Sequence, residues 1–416
     1  MKKIAVIGFG EMGKRHAKDM EELSRGEIEV AAVFEPDSAK YNLGCQWMNK
    51  QALRFDSIEK MLESVKPDGA IISSPNFCHL AGLLKFKGRQ IPLIIEKPLD
   101  STFEKICEIV RFAHSYEAPI MVHHVMRYAP IVMKAKEIIG RGELGRICSF
   151  AFSQNIFGSG IFHNFRRNMK TGGGQLIEKA THDLDVLLHW CNAAPARVAA
   201  ICKQQFYGGA KSDDLHCRDC AEKLSCKLFL DAKHSAGGNL KDVDPSNDLC
   251  AYAKAADIYD NETCLIELED GTFGTYSNNF FAAGYYSRLY EIIGSRAIMR
   301  VAFTSQDKSK PEGEICVSGL DGSKESSSFA YHGRIHYNGS PNVVKHFYNL
   351  MSGIETKPYS PVDQAFAAEM ISLSAYKANK TKNFVSIADE VPDDIKSIFK
   401  NAFSLSELNI KREVLR

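Results

Sequence analysis

The sequence predicts two domains of different class, an α/β doubly wound parallel sheet at the N-terminus and an α+β domain built on an open, largely antiparallel sheet. Three observations predict this. The length of 416 residues is more than one hydrophobic core usually supports. From Lys3 to about Val125, short Val/Ile/Ala runs alternate with longer segments of helical period, the pattern of βαβ units feeding a parallel sheet. Beyond that point the β-like runs lengthen, as in an antiparallel sheet with helices on one face.

In chain order, the first-domain strands are expected at Ile4 to Ile7, Val30 to Phe34, Ala70 to Ser73, Leu93 to Ile95 and Ile120 to Val122, with helices between them. Pro75, Pro92 and Pro98 punctuate strand ends. A further helix is expected from Pro130 to Ile139. Second-domain strands follow at Ile147 to Phe157, Val198 to Phe206, Thr263 to Leu268, Thr272 to Phe281 and Leu289 to Ile293, and Val362 to Lys377 reads as a closing helix. The expected division is 1–125, 126–385 and a tail, 386–416, whose charged end beyond Pro392 either crosses to a partner or stays loose. Within the second domain, 208–250 is a polar, cysteine-bearing insertion with little apolar content.

Charge and hydropathy narrow the function classes. Lys plus Arg is 52 against Asp plus Glu at 51, and no long run of one sign occurs, so there is no electrostatic reason to invoke nucleic acid. No stretch of about 18 apolar residues argues for a membrane span. The opening MKKIAVIGFGEMG breaks at Gly8, Gly10 and Glu11, too early for a secretory signal, and reads as a first strand. A cytoplasmic protein is the expectation, in which twelve cysteines are thiols or metal ligands rather than disulfides.

Gly8, Gly10 and Gly13 form G-F-G-E-M-G between an apolar strand and a helix-like segment, the context of a dinucleotide-binding turn. Gly8 permits the tight turn, Gly10 lets backbone N–H groups approach a pyrophosphate, and Gly13 lets the helix pack on the strand with its N-terminus facing the anion. Glu35, at the end of the second strand, stands where a carboxylate accepts hydrogen bonds from an adenosine ribose. That favours NAD over NADP. Asp37 is a competing acid that reads better as a helix N-cap or turn residue.

Glu178, His182 and Asp185 fall at i, i+4 and i+7 of an expected helix, while Leu184, Leu187, Leu188 and Cys191 supply much of its other face. Such a stripe faces either a polar cavity or solvent. The glycine turn, Glu96-Lys97-Pro98 after a strand, and Gly172-Gly173-Gly174 leading to His182 and Asp185 together resemble the glucose–fructose oxidoreductase and inositol dehydrogenase family, Gfo/Idh/MocA, over residues 1 to about 385. The resemblance implies an N-terminal Rossmann domain, an open-sheet partner domain, catalysis at their junction, and a sugar, inositol or related polyol as substrate. It implies Lys97 and His182 as the catalytic pair, with Lys97 steadying the alkoxide and His182 removing the hydroxyl proton. Glu178, where the family commonly has aspartate, would orient His182 or bind a substrate hydroxyl.

The resemblance further places Pro75, Asn76, His79, Glu96 and Lys97 by the cofactor, with a capping or core role for His79 left open, and Arg127 by the substrate. It implies an unusual, cis Lys97–Pro98 bond and homodimers or homotetramers made by pairing open sheets. Arg166 and Arg167 either meet an anionic substrate or lie on an exposed loop. Two other readings stay open, a redox-neutral NAD-dependent glycosidase or epimerase and a non-catalytic nucleotide-sensing regulator.

Cys217, Cys220 and Cys226 give C-x2-C-x5-C in the insertion and Cys250 closes it. Four thiolates suit a tetrahedral structural zinc, worth ~10–16 kcal/mol of apparent binding to a segment with little core of its own. His216 and His234 are substitute ligands, and unligated thiols are the alternative.

Overall fold

A computed structural model describes residues 1–46, 48, 50–229, 248–282, 287–304, 313–330 and 336–403. Backbone packing divides the chain into two units. The first joins Met1–Ala129, Gly333–Phe366 and Pro392–Phe399; the second joins Pro130–His332, Ala367–Val391 and Lys400–Arg416.

The first unit carries a six-stranded parallel sheet, of which the elements are β1 (Lys2–Ile7), α1 (Glu11–Leu23), β2 (Ile28–Phe34), α2 (Ser38–Cys45), β3 (Leu53–Phe55), α3 (Ile58–Val65), β4 (Gly69–Ile72), α4 (His79–Leu84), β5 (Leu93–Ile95), α5 (Phe103–Ser115) and β6 (Ile120–Val122). Their order is β3-β2-β1-β4-β5-β6, so the winding reverses between β1 and β4. Ala5, Val6, Ile71, Ile72 and Leu93 to Ile95 are wholly buried, which is why these strands read as unbroken apolar runs. Asp37 caps α2 by accepting N–H bonds from Ala39 and Lys40. β3 escapes the apolar pattern because Leu53 and Arg54 are exposed on an edge strand of three residues.

In the second unit the chain continues through α6 (Pro130–Gly140), β7 (Ile147–Asn155), two short helices, α7 (Ser159–Phe162) and α8 (Met169–Gly172), and α9 (Thr181–Cys191). The strands β8 (Pro195–Lys203), β9 (Asn261–Leu268), β10 (Phe273–Asn279), β11 (Ser287–Gly294), β12 (Ala297–Thr304), β13 (Gly313–Gly319), β14 (Lys324–Phe329) and β15 (Val385–Ser386) complete a sheet with β7. The order is β14-β13-β12-β11-β7-β10-β9-β8-β15, antiparallel except where β10 lies parallel to β7. Alternate residues divide its faces. Cys264, Ile266, Tyr276, Tyr290 and Ile292 are buried, whereas Ile201, Leu265, Phe273 and Leu289 are exposed.

Asp183 of α9 fastens the buried face. Arg288 Nε lies 2.9 Å from its carboxylate, and Tyr276 at 2.9 Å and Tyr290 donate their hydroxyls to it. The indole of Trp190 donates to the Val132 carbonyl at 3.2 Å, tying α9 to α6.

The chain then returns to the first unit, contrary to the expected assignment of 126–385 to the second domain. The amphipathic α10 (Ser340–Met351) places Val343, Val344, Phe347, Leu350 and Met351 in one apolar cluster with Ile4, Val6 and Ile71 of the first sheet. α11 (Val362–Thr381) contains the expected closing helix, α12 (Ile387–Glu390) follows, and α13 (Asp393–Asn401) occupies part of the expected tail. α13 is bound to the first unit by the Arg111–Asp394 ion pair and by Phe399 against Phe366. Among the described residues no helix is long and apolar enough to cross a membrane.

Removing the Asp183 carboxylate takes away the buried charge that Arg288 Nε faces. Asp183→Ala is therefore expected to cost about 3–5 kcal/mol, measured by urea unfolding, and an unchanged midpoint contradicts the fastening role.

Candidate cofactor and catalytic site

The glycine turn is built by close backbone approach. Gly8 has φ +86°, and a Cβ on it would lie 2.6 Å from Ser74. A Cβ on Gly13 would lie 2.1 Å from the Gly8 carbonyl oxygen, so only glycine lets α1 start against β1. Gly10, the N-cap of α1, has no side-chain cap, and a Cβ there would meet nothing within 4 Å. The open side of the turn thus presents the uncapped N-terminus of a 13-residue helix to an anion. Glu35 stands beside it, accepting Phe9 N–H on Oε2 at 2.9 Å and Asp37 N–H on Oε1 at 3.0 Å. A carboxylate has about four acceptor positions, which leaves capacity for ribose hydroxyls. Pro75, exposed, and Asn76, buried, follow Ser74 at the carboxyl end of β4. These features fit a dinucleotide at the reversal of strand order.

Lys97 follows β5 and is half-buried; the Lys97–Pro98 bond is cis, as expected. Glu96, directly before it, is buried. Its Oε1 lies 2.6 Å from His16 Nε2 and 3.0 Å from His123 Nδ1, while its Oε2 accepts the Lys97 N–H at 3.0 Å. Burial alone raises this carboxyl, but the charge and hydrogen bonds of His123 and then His16 outweigh it and hold the group well below the usual carboxylate range. His16 is pushed down by burial and by His123, against the pull of Glu96. Glu96 is therefore an internal organiser. Neither histidine was singled out from the sequence, although His16 stands three residues after Gly13 in the same helix.

His79 and Arg127 also have internal partners. His79 is wholly buried, with Nδ1 3.0 Å from both the Pro98 and Leu99 carbonyls and Nε2 2.9 Å from the Ser74 carbonyl. It pins the loop after Lys97 to the end of β4 and takes the core role left open for it. Arg127 is wholly buried, and its Nη1 donates to the Tyr359 carbonyl at 2.9 Å and to Gln364 Oε1 at 2.6 Å. It is a strut within the first unit, since a guanidinium buried so deeply is held by internal acceptors.

In the second unit Leu176–Ala180 winds as a π-helix that runs into α9, a local widening that is frequent at functional sites. It carries Glu178; His182 and Asp185 follow in α9, and all three are buried. Arg166 Nη1 lies 3.2 Å from Glu178 Oε1, and Asn164 Oδ1 steadies Arg166 by accepting from its Nε at 3.2 Å. Arg167 is instead a staple for the insertion, donating to the carbonyls of Cys250 at 2.8 Å and of Asp213.

The four-thiolate zinc site is not supported. Among the described residues, the one group of three or more candidate metal ligands with ligand atoms within 4.8 Å of one another is His16, Glu96 and His123. Cys217 Sγ lies 3.6 Å from His163 Nδ1, and His216 pairs with Asp248. His234 lies outside the described residues. The described part of the insertion is held by other means. Tyr207, Leu228 and Ala251 pack with Phe162, Ile258 and Phe280, and Cys217 N–H donates to the Asp248 carbonyl at 2.6 Å.

Residues 2–124 match the family model described as an oxidoreductase family with an NAD-binding Rossmann fold, and residues 132–300 match the GFO/IDH/MocA C-terminal domain. The chain belongs to the GFO/IDH/MocA oxidoreductase family. Among curated relatives, the putative oxidoreductase YteT of Bacillus subtilis is 25% identical over 264 residues, 58% of this chain and 61% of that protein. Inositol 2-dehydrogenase of Arthrobacter sp. is 29% identical over 182 residues, 44% and 50% of the two chains. The matches to these relatives thus span about half to two thirds of their length. The solved structure of scyllo-inositol dehydrogenase from Lactobacillus casei, with bound NAD(H) and scyllo-inositol, superposes with a TM-score of 0.67 at 16% identity over 93% of this chain and 99% of that one. The likeness confirms the GFO/IDH/MocA fold.

In this family member, Glu35→Ala tests the expectation that Glu35 accepts from the ribose hydroxyls, a charge-assisted bond being worth about 1.5–3 kcal/mol. Calorimetric titration is expected to show NAD binding weakened by about tenfold to a hundredfold, with NADP affected less. Equal losses for both nucleotides contradict the assignment of Glu35 to the ribose.

Proposed function

We propose that this protein is an NAD-dependent dehydrogenase that oxidises a secondary alcohol of a sugar, an inositol or a related polyol, with Lys97 and His182 as its catalytic pair. The observation that carries the reading is the placement of Lys97. It follows β5 at the carboxyl end of the sheet whose glycine turn presents the dinucleotide site, in a main chain tied down by Glu96 and His79. The family supports the redox chemistry, and relatives named as inositol dehydrogenases support the substrate class.

In this reading His182 accepts the carbinol proton as the C–H hydride leaves, and Lys97 donates a hydrogen bond to the developing alkoxide. The bound nicotinamide supplies the hydride acceptor. Glu178, fixed by Arg166, orients the substrate hydroxyl or His182 from the preceding turn.

A panel of sugars, inositols and uronates incubated with NAD or NADP, followed by the absorbance of reduced nicotinamide, tests the proposal. At least one polyol is expected to release NADH. Lys97→Ala and His182→Ala should each lower kcat by about a hundredfold or more with NAD affinity retained. Rates that survive both substitutions overturn the pair.

The exposed apolar side chains of Ile201, Leu265, Phe273 and Leu289 on one sheet face support a homodimer or homotetramer. Leu265→Lys with Phe273→Lys is expected to lower the mass measured by light scattering to that of a single chain. An unaltered oligomer would place the contact elsewhere.

A further inference from the structure

Three elements of the first unit converge on one carboxylate. His16 comes from α1, the helix that opens at the glycine turn; Glu96 directly follows β5; His123 directly follows β6. All three side chains are buried, and the two imidazoles meet edge to face with ring centres 4.3 Å apart. Both imidazoles share Oε1 of Glu96, at 2.6 and 3.0 Å. The other oxygen accepts the backbone N–H of Lys97 at 3.0 Å. The main chain on either side is held too, because Glu96 N–H donates to the Ile72 carbonyl at 2.9 Å and His123 N–H to the Ile95 carbonyl at 2.8 Å.

We infer that His16 and His123 are positioning residues for Lys97, acting through Glu96, so that the helix heading the dinucleotide turn and the main chain of the lysine are fixed by one shared carboxylate. The inference rests on the assignment of Lys97 to catalysis. A buried carboxylate is costly unless its lone pairs are met, and here two imidazole N–H groups and one amide N–H meet them. An apolar trio would fill the same space but leave the Lys97 amide without its acceptor. The lysine would then lose a restraint on the direction in which its chain leaves the strand, and small displacements of a catalytic group are expensive in rate.

The same three residues could ligate a metal by type, but their spacing speaks for hydrogen bonds. Two ligands about 2.0–2.1 Å from a tetrahedral zinc stand about 3.3 Å apart. The two separations from Glu96 Oε1 are 2.6 and 3.0 Å.

The test uses the full-length protein labelled with 15N-lysine, the Lys97 amide resonance being identified by its loss in Lys97→Arg. His16→Phe and His123→Phe remove a donor while keeping a ring. His16→Gln and His123→Asn return an N–H near the Nε2 and Nδ1 positions. Glu96→Gln probes the other side, since an amide accepts at one end only and meets the imidazole N–H groups and the Lys97 N–H with one acceptor end in place of two.

The Phe variants and Glu96→Gln are expected to move the Lys97 amide resonance and to lower kcat about tenfold or more, with KM and the NAD Kd within about twofold. The Gln and Asn variants should restore both signals towards wild type. If a Phe variant does not fold, Glu96→Gln and the conservative pair decide the matter alone. An unmoved Lys97 resonance in Glu96→Gln overturns the inference, as does a stoichiometric metal in purified wild-type protein that is lost from the His123 variants. The resonance needs no turnover. An absence of NADH from every alcohol therefore defeats the dehydrogenase reading, while the spectrum still decides the positioning role.

Discussion

The first unit depends on three backbones meeting with no side chain between them. Hydrogen atoms at Gly8 and Gly13 are all that separates α1 from the turn and the turn from the end of β4; a methyl group at either place would overlap main-chain atoms. That contact aims the free end of α1 at an anion and sets Glu35 and Ser74 on either side of the turn. It also fixes how deep α1 lies on the sheet, and hence whether an imidazole in its second turn reaches a carboxylate at the end of β5. The polar interior follows from the glycine spacing.

Each unit buries a carboxylate and surrounds it with donors. Glu96 has two imidazoles and an amide, and Asp183 has a guanidinium and two phenols. Their surroundings decide what each does. Asp183 sits against the middle strands of a sheet and locks a helix to it, a role in packing. Glu96 sits where a strand gives way to a loop, adjoining the lysine, so its bonds constrain a segment that has no ladder of its own. Carboxylates of this kind are hard to read from sequence, because their donors come from residues tens of positions away.

The fold was legible where burial imposes a pattern. Strands covered on both faces appear as unbroken apolar runs, so β1, β2, β4, β5 and β6 were found; β3, β12, β13, β14 and β15 were not, and of these β3 and β14 are exposed along most of their length. The glycine turn and Glu35 were legible because backbone stereochemistry and one acid at a fixed remove determine them. Lys97 and His182 came from resemblance, and local spacing could not have picked them out. His79 and Arg127 illustrate the limit: the carbonyls that bind them belong to Ser74, Pro98, Leu99 and Tyr359, and only folding brings these near. The cysteine spacing misled for the same reason. C-x2-C sets how far apart two sulfurs lie along the chain and leaves their directions to the rest of the insertion.

The return of residues 333–366 and 392–399 to the first unit means that the dinucleotide half is not a contiguous stretch of gene. A fragment cut at Ala129 would lack Val343, Phe347 and Leu350, and the apolar face that α10 covers on Ile4, Val6 and Ile71 would be open to water. Recombining this half with another partner domain therefore requires transplanting three separated segments at once, and a crossover placed at a single point between the halves would yield a protein with its core half uncovered.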